Sequence, residues 1–549
     1  MENKRLFLAL AISLGLMLLY TNFLAPKQPP QAPAPQPTAQ APAPAPAAPP
    51  VAAAPGAPAT PAAPLAQQAA DVKVETPLFT AWISQRGGAL RKMVLKQYTN
   101  KPQGQGGEFE LLSLPAKDPY TLGLSLPGLD PDLAKRLFTP SADQLTVSPG
   151  SQGGSLSFST QSAGLTITKT YHFRPDSYAF DLKVSLTNQT GQVLEVTPEL
   201  VLSQERDLHQ SNTYAFTGLL AWRDQGLVEE DHSALESKKV ESGAIDWMCL
   251  SIPYFFTAVA PEGDTSAKRS VRGWADETDK SLMTATLVEP LAQIAPGQTR
   301  EMSYLAYFGP RDLDLLEPLG HHLAKAVDFG WFDIIAKPML AAMKFLSGMV
   351  PNYGVVIIII TILIKILFWP LSQKSYKSMK RMQDLQPMVM KLREKYGDDK
   401  QRMNQETMQL YKTYKVNPMG GCLPMLLQIP VFIAFYKVLG SSIELRQAPF
   451  MLWINDLAVP DRLGIGFTIP YVGDGLPVLT LLMGASMFIQ QKLTPTTGDP
   501  TQAKIMLLMP VIFTFMFINF PSGLVLYWLV NNVLSIGQQM LTNRAKAKA

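Results

Sequence analysis

Two kinds of pattern divide the chain. Between residues 155 and 190 apolar and polar positions alternate, in SLSFST (155–160), LTITKTYHF (165–173) and YAFDLKVSLTNQT (178–190). That period of two is the mark of half-buried strands. Arg86-Gly87-Gly88, Pro149-Gly150 and Pro296-Gly297 punctuate the same region as turns. Elsewhere the apolar residues come in unbroken runs, at 6–24, 352–372, 421–440, 475–491, 505–520 and 523–541. Runs of this kind predict helices that cross a bilayer, the shorter ones with the help of flanking residues. The reading is therefore a polytopic α-helical membrane protein of six spans, carrying a large antiparallel β-sandwich outside the membrane.

The boundaries follow from where the pattern changes. Residues 1–25 read as an N-terminal anchor with Lys4 and Arg5 on its cytoplasmic side. A cleaved signal peptide is the competing reading, but the apolar run is long for one and no A-x-A site precedes the tail. Residues 26–69 are nearly all Pro, Ala and Gln, an extended linker with no means of burying a core. The sandwich occupies 70–325, and 326–348 is an amphipathic helix suited to lie in the membrane interface. Residues 349–541 form the helical core, with a polar, basic helical hairpin at 373–415 and a basic tail at 542–549.

The run 352–372 holds one charge, Lys365, near its middle, with Thr361 one turn earlier on the same face. A lysine at such depth costs roughly 2.5–3.5 kcal/mol on insertion scales and ordinarily faces protein or a wet cavity. Snorkelling to the headgroups is the alternative. The other spans contribute Gln428, Thr514, Trp528, Asn531 and Asn532; Trp528, Asn532 and Ser535 share one helical stripe, with Tyr527 and Asn531 on the next. Such groups glue helices together as readily as they line a groove. The spans contain no Asp or Glu to pair Lys365.

Composition changes the picture in three ways. With 47% hydrophobic and 17% charged residues, the 549-residue chain is neither an ordinary soluble protein nor wholly intramembrane. The net charge of +4 is unevenly spread: acidic residues prevail through 26–345, and basic ones in the 373–415 hairpin, including Lys377, Lys380, Arg381, Arg393 and Lys395. Opposite signs on opposite sides of a membrane put both termini and the hairpin in the cytoplasm and the sandwich outside. That hairpin is suited to gripping a ribosome, a signal sequence or anionic lipid, or it is a solvated loop whose charge only sets topology. Two cysteines, Cys249 and Cys422, and five scattered histidines offer no metal spacing, and no phosphate loop or nucleophile elbow is present. A secondary transporter would need paired ionisable groups or inverted repeats. A sugar-binding receptor would make the sandwich the working part.

The passages IIIITILIK, LREKYGDDKQRMNQE, KVNPMGGCLPMLLQIPVF, IELRQAPFMLWINDL, QKLTPTT and FPSGLVLYWLVNN, in that order, resemble the Gram-negative YidC-type membrane protein insertases. The resemblance covers about Asn352 to Gln539 closely, and the anchor, linker and sandwich in architecture. It implies an inner-membrane insertase and chaperone with no covalent step and no cofactor. Five spans would enclose a hydrophilic groove lined by Lys365, Thr361, Gln428, Thr514, Trp528 and Asn532. Substrate helices would pass Ile429, Pro430 and Phe515. Nascent membrane proteins, the ribosome, the Sec translocon and anionic lipids would be its partners, with ribosome contact falling to Lys377, Lys380, Arg381, Arg393 and Lys395. The sandwich would resemble the mutarotase-like supersandwich. At Lys365 the family typically carries arginine, so this chain keeps the charge and loses the planar fork of donors.

Overall fold

The computed structural model describes residues 69–545, except 103–105, 116–118, 207–215, 238, 265–266, 277–280, 398, 415, 417–422, 471 and 494–499. The expected anchor at 1–25 lies outside the described residues, as do the linker up to residue 68 and Cys422.

The alternating stretches form strands with alternating burial. Leu165–Phe173 buries every second residue and pairs antiparallel with Ala179–Asn188, Phe180 opposite Phe173 and Asn188 opposite Leu165. Ala179–Asn188 pairs in turn with the last strand, Thr299–Pro310. These belong to a 13-stranded sheet, which faces a 5-stranded one ordered Glu108–Ser113, Ala89–Thr99, Phe79–Ser84, Asp71–Glu75, Gln144–Thr146. The antiparallel expectation is corrected at one place: Asp71–Glu75 runs parallel to Gln144–Thr146, Lys73 opposite Gln144. Parallel neighbours need a long crossover, and here the intervening chain has already supplied three strands of the small sheet and both terminal strands of the large one.

Buried polar side chains join the sheets. Lys169 falls on the buried side of its strand and is fully enclosed. Its ammonium donates to Gly87 O at 3.0 Å and Leu122 O at 2.6 Å, while Tyr171 Oη donates to Gly88 O at 2.6 Å. Gly87 turns at φ +70° with its Cα against the Ala134 carbonyl, where a Cβ would overlap that oxygen. The turn exposes carbonyls that no strand neighbour takes, and Lys169 and Tyr171 take them.

The helical part begins with α1 (Asp333–Met349), which buries Ala336, Met339, Leu340 and Met343 and leaves Ile334, Phe345 and Met349 exposed. Next come α2 (Tyr353–Leu367) and α3 (Trp369–Asp384), interrupted only at Phe368. Together they make a 32-residue rod, the one described helix long and apolar enough to cross a membrane. The rod therefore runs on through Gln373, where the basic hairpin was expected to begin. The hairpin continues as α4 (Gln386–Tyr396), with Pro387 in its first turn rather than bending a longer helix, and α5 (Lys400–Thr413), capped by the Asp399 side chain accepting from Arg402 N.

The remaining apolar runs form α6 (Leu423–Ser441), α7 (Val478–Leu493), α8 (Pro500–Phe517) and α9 (Ser522–Ala545). Three of their described apolar stretches, 428–441, 478–493 and 506–517, are shorter than a full span. Buried apolar contacts run without a break from the β-rich domain through Leu323, Phe329 and Met343 into Val356 and Ile357 of α2.

Candidate functional site

α9 organises the site, because its polar side chains meet partners on α2, α3, α6 and α7. Asn531, Ser535, Gln538 and Thr542 are spaced so that one face of the helix carries all of them. That face meets the α2–α3 rod. The Lys365 ammonium donates to Asn531 Oδ1 at 3.2 Å and to Ser535 Oγ at 2.6 Å. Gln538 Nε2 donates to Trp369 O at 3.3 Å, and the Thr542 hydroxyl donates to Gln373 Oε1 at 3.0 Å. The adjoining face meets α7, with Asn532 Nδ2 donating to Ser486 Oγ at 2.9 Å and Gln539 Nε2 to Leu493 O at 3.1 Å.

Lys365 is half-buried, whereas Asn531, Asn532, Ser535, Gln538, Gln539 and Thr542 are all buried. Both of these acceptors are neutral. Neutral acceptors satisfy two of the three ammonium donors without cancelling the charge. Thr361, one turn away and buried, turns its hydroxyl to Ile357 O of its own helix at 2.6 Å. It adds bulk and polarity beside Lys365 without holding it.

The other expected groove residues occupy separate contacts. Gln428 Nε2 donates to Tyr527 Oη at 3.3 Å, joining α6 to α9. Trp528 sits in an aromatic cluster, edge-on to Phe432 with centroids 4.8 Å apart and 5.1 Å from Phe517. Thr514 bonds back to Pro510 O at 2.7 Å and packs on Gly484 of α7. Of the expected substrate-facing residues, Ile429 and Phe515 are exposed, Phe515 at 72%, and Pro430 is half-buried. On α3 and α4, Lys377, Arg381 and Lys395 are exposed while Lys380 and Arg393 are half-buried. Met388 and Met390 of α4 and Met408 of α5 are also exposed.

Sequence reasoning missed Gln538, Gln539, Thr542, Gln373 and Ser486. A signal was present, since each asparagine is followed seven residues on by a glutamine, 531 to 538 and 532 to 539. Seven residues is close to two helical turns, so both pairs stay on their faces.

No group of His, Cys, Asp and Glu suited to a metal occurs among the described residues. The arrangement can hold a positive charge in an apolar surround and offer amides and hydroxyls along one helix. It carries no activated nucleophile or acid–base pair among the described residues of the core helices.

Two family models match the chain: the 60Kd inner membrane protein family over residues 345–549 and the YidC periplasmic domain over 71–342. The chain is 42% identical over 487 residues to a membrane protein insertase YidC of Geobacter sulfurreducens, covering 86% of each. It is 41% identical over 556 residues to that of Pelobacter propionicus, covering 99% of each. Among solved structures, it is similar to an active YidC insertase with its first transmembrane domain resolved, at 16% identity and a TM-score of 0.36, over 87% of this chain and 94% of that one.

Proposed function

Because this chain belongs to the YidC family of membrane protein insertases, we propose that it carries polar segments of newly made inner-membrane proteins through a wet groove beside α9 and releases their apolar helices into lipid. It does so alone or as a chaperone beside the Sec translocon. The anchor and the five apolar runs of the core make six spans, with both termini and the α4–α5 hairpin in the cytoplasm. The hairpin's exposed cations meet the ribosome and anionic lipid.

The observation that carries the reading is Lys365: a charge in the apolar rod, held by Asn531 and Ser535, with no Asp or Glu in α2, α6, α7, α8 or α9. Its charge is left for an incoming polar or acidic group. A polar segment entering hydrocarbon leaves each unsatisfied backbone group at a cost of several kcal/mol. Amides, hydroxyls and water along α9 reduce that cost, so no covalent step is required. Ile429 and Phe515 flank the path with apolar surface, along which a substrate helix moves downhill into lipid.

The test is protease protection of a single-span substrate in liposomes holding only the purified full-length protein. Protection above empty liposomes, retained by Lys365→Arg and lost in Lys365→Ala, is the expected result. Equal protection by both variants would overturn the role of the charge. No protection by the folded wild type would overturn autonomous insertion.

A further inference from the structure

Four charged side chains from three parts of the chain meet beside α1. The Lys344 ammonium stands 2.9 Å from Asp312, 2.8 Å from Asp314 and 2.8 Å from Glu444. Asp312 and Asp314 lie just beyond the last strand, Thr299–Pro310, where the β-rich domain ends. Glu444 lies in the short turn Ile443–Leu445 that follows α6. A lysine has three donors and here faces three carboxylates.

The four are not equal. The Asp314 side chain is 74% exposed, so solvent screens its pairing and it contributes little. Glu444 is 10% exposed, and its Oε2 is buried without a hydrogen-bond partner. Removing the cation would leave Glu444 enclosed beside Asp312, a repulsive arrangement. Neighbouring contacts hold the same elements from other sides. Arg311 Nη2 donates to Ala326 O at 2.5 Å, fixing the segment before α1. Arg446 donates to Thr99 O at 2.7 Å and lies over the Phe109 ring at 4.9 Å, fixing the loop after α6 to the β-rich domain. Lys344 is where α1 joins that contact.

We infer that Lys344 is a positioning residue, which binds α1, the exit of the β-rich domain and the loop after α6 into one body. α6 carries Gln428, Ile429 and Pro430, so the same joint sets the placement of one wall of the proposed groove. Charge at this joint thereby adds to the apolar contacts through Leu323, Phe329 and Met343 in orienting the β-rich domain against the core.

Hydrogen exchange on the full-length protein in liposomes tests this. In Lys344→Met, which keeps the stem and removes the charge, amides in both 313–326 and 442–450 should exchange about tenfold faster, with Leu165–Phe173 unchanged. Glu444→Gln should loosen the same two segments, and Lys344→Arg should stay close to wild type. Acceleration confined to α1, no acceleration, or identical behaviour of the Met and Arg variants would overturn the inference. If Lys344→Met does not fold, Glu444→Gln decides alone, by the same two segments. The exchange is read without substrate, so its outcome is independent of the insertase reading.

Discussion

Gly484 of α7 lies against Thr514 of α8 so closely that a Cβ on the glycine would overlap the threonine Oγ1. Small residues let helices approach where lipid supplies no hydrophobic drive between them. Gly484→Val should push α7 and α8 apart and destabilise the protein by about 1–3 kcal/mol, the usual cost of overpacking. Thermal unfolding in detergent should show a lowered midpoint, partly restored by Thr514→Ala. An unchanged midpoint in the single variant would sink the close-packing account.

Asn531 and Ser535 have a value that depends on Lys365. Asn531→Leu removes an acceptor from a half-buried charge and should cost about 1–3 kcal/mol. In a Lys365→Met background the same change should cost less than about 0.5 kcal/mol, since no ammonium is then left unsatisfied. A double-mutant cycle on the unfolding midpoints measures the difference. Additive effects would mean that the two residues hold helices together without holding the charge.

Burial pushes the Lys169 amine down to about 7 from 10.5. Between those two values the unfolded chain binds a proton that the folded domain does not, so stability rises with pH across that window and is flat below it. The whole window amounts to roughly 3–5 kcal/mol. Denaturant unfolding of the β-rich domain, followed by intrinsic fluorescence between pH 7 and 10, should show this rise in the wild type and lack it in Lys169→Met. A flat wild-type profile would contradict the burial of the Lys169 amine.

Asp456 behaves in the opposite sense. Burial raises its carboxyl from 3.8 to about 6, against the pull of the Ala458 and Gln447 backbone N–H groups. Between those values the folded protein holds a proton that the unfolded chain has lost, so stability falls as pH rises through the window. Above it the penalty is complete. Asp456→Asn should raise the unfolding midpoint at pH 7 and leave it nearly unchanged at pH 4. The reverse order would refute the assignment.

What was legible in the sequence was whatever has a period or a run. LTITKTYHF showed its strand and its buried side, and FPSGLVLYWLVNN showed a tight turn opening a helix. Lys365 was visible because an isolated charge in an apolar run has no local explanation. Its acceptors Asn531 and Ser535 were visible as polar positions, but their pairing with it was not, since 166 and 170 residues separate them from it. The same distance effect hid the Lys344 joint, whose partners lie 32 residues before it and 100 after. Thr514 was read into the groove from polarity alone, and its contact with Gly484 depends on how two helices cross. The parallel strand pair was illegible because nothing local to Asp71–Glu75 specifies which neighbour takes its free edge.

The order of strands in the β-rich domain fixes a timetable. Asp71–Glu75 must wait for Gln144–Thr146, Gly123–Ser125 for Glu199–Glu205, and Ala179–Asn188 for Thr299–Pro310. As the ribosome delivers the chain from its N-terminus, the domain stays open-edged until its final strand arrives. Such non-local pairings close slowly. Tyr353, the start of the rod that bears Lys365, follows that strand closely in the chain. Completion of the β-rich domain and synthesis of the helix that carries Lys365 are thus neighbouring events in the protein's own biogenesis. A chain stalled before residue 310 would present both an unfinished sheet and a core without its central helix.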